Sequence, residues 1–69
     1  MNNLIKALKK EQSDRAETDA QFAKGLGVSR STWSLVRAEQ VRLNLPILKG
    51  TLARFPHLWD KVAEYISES

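Results

Sequence analysis

The sequence predicts an all-α domain, a compact bundle of five short helices over residues 1–69. Three observations predict it. Apolar residues recur at spacings of three and four along the whole chain, the period of a helix with one buried face. No run alternates β-branched with polar residues, as a half-buried strand would. The breaks between periodic segments carry helix punctuation: Thr18, Ser29 and Asn44 at starts, and Gly27 at an end. A chain of 69 residues is one domain. Folding at this size buries only about 60% of the unfolded surface, so stability is small and a second copy is a plausible staple.

The first helix is expected over Asn3 to Gln12, with Leu4, Ile5 and Leu8 inward and Lys6, Lys9 and Lys10 outward. Ser13 to Glu17 is polar and reads as a connection. The second helix opens on a capping box. The Thr18 hydroxyl accepts from the third helical N–H, and Gln21 reaches back to the cap. Asp19 complements the positive end of the helix dipole. Phe22, Ala23 and Leu26 form its buried face, and Gly27 closes it in the left-handed conformation. Ser29 caps the third helix, on which Trp33 and Val36 share a face away from Arg30, Ser31, Ser34 and Arg37. So short a link forces a sharp turn between the second and third helices, which predicts a helix-turn-helix over about 18–37. The fourth helix follows Asn44, with Pro46 in its first turn, where a missing N–H costs nothing. Leu45, Leu48 and Leu52 are expected inward. Phe55-Pro56 breaks the chain. The fifth helix is expected over about 56–66, with Leu58, Trp59, Val62 and Ile66 apolar.

Composition excludes several function classes. There is no cysteine, and His57 is the only imidazole, so neither a disulfide nor a metal site is expected. No apolar run approaches the roughly 20 residues of a membrane span, and no apolar stretch follows the early lysines as in a signal peptide. A cytoplasmic location is expected. His57 and Asp60 fall one helical turn apart, but no nucleophile or glycine loop accompanies them, so neither catalysis nor a cofactor is expected. Trp33 and Trp59 are expected in the core rather than stacked on single-stranded bases.

Charge is unevenly spread. The net charge is +3, yet residues 20–54 hold six basic side chains (Lys24, Arg30, Arg37, Arg42, Lys49, Arg54) against Glu39 alone. The last fifteen residues hold Lys61 against Asp60, Glu64 and Glu68. Either a polyanion faces the middle segment, or this is an ordinary solvated surface.

The stretch Phe22-Ala23-Lys24-Gly25-Leu26-Gly27-Val28-Ser29-Arg30-Ser31-Thr32-Trp33-Ser34 resembles the helix-turn-helix of the Cro and phage-repressor (XRE) family. That family typically reads Leu-Ala-x-x-Leu-Gly-Val-Ser-x-x-x-Ile-Ser. Separate residues have separate jobs: Ala23 for close helix approach, Gly27 for the turn, Val28 for the angle, and Trp33 in the place of the family's isoleucine or valine. The resemblance fades towards Leu52, covers about half the chain, and does not reach the fifth helix. Two positions depart from the pattern. Asp19 stands where the family commonly has a phosphate-contacting glutamine, and Arg37-Ala38-Glu39 stands where it tends to end in Glu-x-Gly. Backbone docking and the loop after the third helix are therefore expected to differ in detail.

The resemblance implies a lambda-repressor-like fold whose third helix enters the major groove of duplex DNA. Arg30, Ser31 and Thr32, in its first turn, would then meet base edges, with arginine able to bind guanine O6 and N7 together. Ser34 and Leu35 lie at the edge of that surface. Leu35 either touches a thymine methyl or is buried against the fourth helix. Phosphate contacts are expected from Ser29, Arg37, Gln40, Arg42 and Asn44, more weakly from Lys24, and from the backbone N–H groups opening the second and third helices. Family members usually bind palindromic sites as dimers, so a homodimer is expected. Its surface is assigned to Phe55, Leu58, Trp59 and Tyr65, which otherwise complete the core. The function implied is a stand-alone, Cro-like transcriptional repressor of a phage or mobile element, with its own promoter among the candidate targets, associated with the nucleoid when bound. A protein-interaction module, such as a small antitoxin that neutralises a partner protein, is the alternative.

Overall fold

A computed structural model describes residues 3–68. Among them are five α-helices and no strand: α1 Asn3–Asp14, α2 Asp19–Leu26, α3 Arg30–Arg37, α4 Leu45–Arg54 and α5 Trp59–Glu68, with a single 3-10 turn at Pro56–Leu58 leading into α5. They pack into a body 29 × 24 × 19 Å across. No described helix is long and apolar enough to cross a membrane.

The helix starts follow the side-chain chemistry. Thr18 Oγ1 accepts from Gln21 N–H, while Gln21 Oε1 accepts from Thr18 N–H, completing the capping box. Ser29 Oγ accepts from Thr32 N–H, and Asn44 Oδ1 from Ile47 N–H. Each bond satisfies a donor that the helix itself leaves open, and each is worth about 1 kcal/mol.

Three helix ends share one device. After α2, Gly27 adopts φ 78°, Val28 N–H donates to Ala23 O and Gly27 N–H to Lys24 O. The same pair of reverse bonds closes α1 and α3, but around Ala16 at φ 53° and Glu39 at φ 59°. α1 therefore runs two residues past the expected Gln12, and its last turn is held by the Lys10–Asp14 and Arg15–Glu11 pairs. The left-handed conformation costs an L-residue about 1–2 kcal/mol, and glycine gives back about half of that relief in the unfolded chain. Glu39→Gly and Ala16→Gly are each expected to raise the urea midpoint, by about 0.5–1 kcal/mol of stability. A lowered midpoint in both would contradict these backbone angles.

The core is aromatic at its centre. Phe22 lies with its ring centroid 4.8 Å from Trp33 and 5.7 Å from Phe55. All three rings are fully buried, ringed by Leu4, Leu8, Leu26, Val36, Ile47 and Val62. Such ring pairs add about 0.5–1.5 kcal/mol beyond burial of their area. Cations cover the outer edge of this cluster. The Arg54 guanidinium lies 5.1 Å from the Phe55 ring centroid and pairs with Glu17, and Arg15 lies 4.8 Å from the same ring.

Two expectations about packing are corrected. α4 buries Ile47, Leu48 and Thr51, while Leu45 and Leu52 face water. The helix is rotated because Gly50 must lie against α2: a β-carbon there would sit 2.0 Å from Leu26 O. Trp59 is 65% exposed rather than in the core. The 3-10 turn after Phe55 advances the chain at a tighter pitch, which puts Leu58 and Val62 inward and turns Trp59 out.

Candidate nucleic-acid interface

Only Gly27, Val28 and Ser29 join α2 to α3. Val28 packs part-buried against the core beneath the turn. α3 is pinned from below. Trp33 and Val36 are fully buried, and Trp33 Nε1–H donates to Gln12 Oε1 at 3.0 Å. With that face locked inward, the opposite face must look out. Arg30, Ser31, Ser34 and Leu35 line one shallow hollow there.

The expected base-contacting residues do not all behave alike. Arg30 and Ser31 are exposed. Thr32 is half-buried, and its hydroxyl lies 2.8 Å from Ser29 Oγ, so these two side chains are committed to the cap. Ser34 is half-buried at the rim. Leu35 is 42% exposed, which settles its position: it is on the outer face and not buried against α4.

The expected phosphate ring divides in the same way. Lys24, Gln40 and Arg42 are exposed, and neither Lys24 nor Arg42 has a carboxylate within ion-pair distance among the described residues. Asn44 and Ser29 are helix caps. Arg37 is held by Asp19, Nη1 to Oδ1 at 2.9 Å. The same Asp19 oxygen accepts from Gln12 Nε2 at 2.8 Å. The hydrogen bond from Gln12, together with the nearby Arg37 charge, holds the Asp19 carboxyl below its ordinary range. Asp19 is thus the link between the start of α2 and the end of α3. Arg54 is likewise neutralised by Glu17, so the basic middle segment presents fewer open charges than its composition suggests.

Lys9 was not singled out in the sequence. It lines a second shallow depression with Asp19, Ser34, Arg37 and Ala38, at the edge of α3. Its outward register on the first helix was legible, but its nearness to α3 depends on how the two helices pack.

The assigned dimer surface is largely lost to the core. Phe55 is fully buried and Leu58 nearly so, because the aromatic cluster needs both. Tyr65 is half-buried and its hydroxyl accepts from Leu43 N–H at 3.1 Å, anchoring the segment between α3 and α4. Of the four, Trp59 remains open. His57 turns away from Asp60 chemistry: its Nε2 lies 2.7 Å from Glu11 Oε2, tying the 3-10 turn to α1.

Comparison with protein-family models, with curated proteins and with solved structures gives no match for this chain.

Proposed function

We propose that this chain is a sequence-specific, double-stranded-DNA-binding transcriptional regulator, built on a helix-turn-helix of the Cro and phage-repressor type. The observation that carries the reading is the two-sidedness of α3. Its inner face is fixed by Trp33 and Val36, and its outer face offers Arg30, Ser31, Ser34 and Leu35 to solvent. Arginine and short hydroxyl side chains on an exposed helix are the groups that read base edges in a major groove. Lys24, Arg42 and Lys49, exposed and without ion pairs among the described residues, supply charge for the phosphates. Binding alone suffices for repression, by occupying a promoter. The site is a palindrome of a phage or mobile element, the chain's own promoter included, and two copies bind it. Trp59, at the start of α5, is the exposed apolar anchor for that pairing.

The test is a titration of duplex DNA from upstream of the chain's own gene across salt concentrations. Affinity is expected to fall steeply as salt rises, with two chains per site, because bound phosphates release counterions. Arg30→Ala is expected to cost about 1–3 kcal/mol on the true site and to relax one base pair. Arg42→Ala is expected to weaken all sequences alike and to lower the salt slope by about one. Identical behaviour of the two variants counts against this placement of α3.

A second reading has one observation in its favour. The exposed Trp59 could equally seat a different protein, as in a small antitoxin that neutralises its partner. A flat salt response on unrelated duplexes would favour it.

A further inference from the structure

We infer that Asp19 is a positioning residue for duplex binding: it holds Arg37 at the rim of α3 and withholds that charge from the DNA phosphates. The inference rests on the duplex-reading placement of α3 proposed above, and it adds what limits the grip of that surface on the backbone.

The ion pair lies at the edge of the outer face. Ser34 lines both the hollow with Arg30, Ser31 and Leu35 and the depression with Lys9, Asp19, Arg37 and Ala38. A duplex seated on the outer face of α3 brings the phosphates that flank its major groove to this edge. Arg37 stands there in the last turn of the helix, with its side chain 49% exposed. Its Nη1 is nevertheless turned onto Asp19 Oδ1, at 2.9 Å.

The two partners are not equally free. Asp19 is 27% exposed, and the same Oδ1 accepts from Gln12 Nε2 at 2.8 Å. Gln12 is itself buried and bonded to Trp33 Nε1. The carboxylate is thus anchored to the core, while the guanidinium rides on a flexible stem. The Gln12 bond also keeps the Asp19 carboxyl below its ordinary range, so it is an anion at neutral pH. An approaching phosphate therefore meets a fixed negative charge with a cation already folded onto it. Seen from outside, the pair is close to neutral, and Arg37 adds little to counterion release. Lys24 and Arg42 differ, being exposed with no carboxylate within ion-pair distance among the described residues.

Asp19→Asn removes the charge and keeps an oxygen for Gln12. The test compares this variant with the native full chain on a duplex of mixed sequence, because phosphate contacts carry no sequence information. Dissociation constants are measured by anisotropy from about 50 to about 200 mM salt, with folding of each variant checked by circular dichroism. Asp19→Asn is expected to bind more tightly and to steepen the logarithmic salt slope by about one. Its gain is then about three-fold larger at the low end of that range than at the high end. Adding Arg37→Ala to Asp19→Asn is expected to return affinity and slope to the native values. Asp60→Asn adds the same charge at the start of α5, where Asp60 is exposed, and is expected to leave the slope unchanged.

A gain that survives in the double variant overturns the inference, since Asp19 would then repel phosphates without acting through Arg37. An equal steepening in Asp60→Asn overturns it, since net charge alone would be responsible. Unchanged or weaker binding by Asp19→Asn overturns it as well, and leaves the pair as a brace between α2 and α3. All three outcomes leave the DNA-binding reading standing. No duplex binding by either the native chain or Asp19→Asn overturns both.

Discussion

Gly50→Ala is expected to lower stability by about 2–3 kcal/mol, a midpoint drop on the order of 10–20 °C in a domain of this size. Alanine would ordinarily strengthen a helix interior by about 0.5–1 kcal/mol. Here its methyl would meet Leu26 O at 2.0 Å, and that atom is backbone, with no rotamer to yield. α4 must then back away from α2, opening the cluster around Phe22 and Ile47. Domains carry about 0.05–0.15 kcal/mol of stability per residue, so the loss is a large share of the whole. Gly25→Ala is the matched control. Its methyl would approach Arg54 Nη1, the far end of a side chain that can swing aside, so its cost is about 1 kcal/mol or less. Thermal melts followed by circular dichroism compare the two. An unchanged or raised midpoint for Gly50→Ala means that α4 does not lie against Leu26. The consequence reaches the interface, because Leu26 immediately precedes the turn that aims α3.

Local chemistry made the helices legible in the sequence. Thr18, Ser29 and Asn44 each cap a donor three residues away, so sequence spacing alone places the bonds. Gly27 likewise needs nothing beyond its own chain. What escaped depends on contacts across the bundle. Leu45, Leu48 and Leu52 share a helical face by spacing, yet the buried face is set by Gly50 and Thr51, which let α4 close on α2. A glycine in mid-helix was the available signal, since it weakens a helix unless packing needs the space. Trp59 escaped because the expected fifth helix was continuous, and a 3-10 turn shifts the phase of everything after it. In the candidate site, the outward set Arg30, Ser31 and Ser34 was legible from the inward set Trp33 and Val36. The commitment of Arg37 to Asp19 was not, because the partners lie 18 residues apart.

Gln12→Leu is expected to cost about 3 kcal/mol, although it exchanges a polar side chain for an apolar one in a buried position. Gln12 is 7% exposed and uses both ends of its amide. Its Nε2 donates to Glu17 O and to Asp19 Oδ1, and its Oε1 accepts from Trp33 Nε1–H. Leucine would leave the buried Trp33 N–H without this partner, at about 1–3 kcal/mol, and would also take the donor from the part-buried Glu17 carbonyl. The same amide is the largest cause of the lowered Asp19 pKa, which gives a second readout with a definite sign. Asp19 titrates lower in the fold than its ordinary 3.8, so the folded chain binds its proton less readily than the unfolded chain. Its contribution is complete above about pH 4 and is lost as pH falls through the folded value. Urea midpoints measured from neutral pH down into this range should therefore fall for the native chain. They should fall less for Asp19→Asn, which has no proton to take up, and less for Gln12→Leu, where Asp19 returns towards its ordinary value. Equal acid slopes in all three would mean that Gln12 does not hold Asp19.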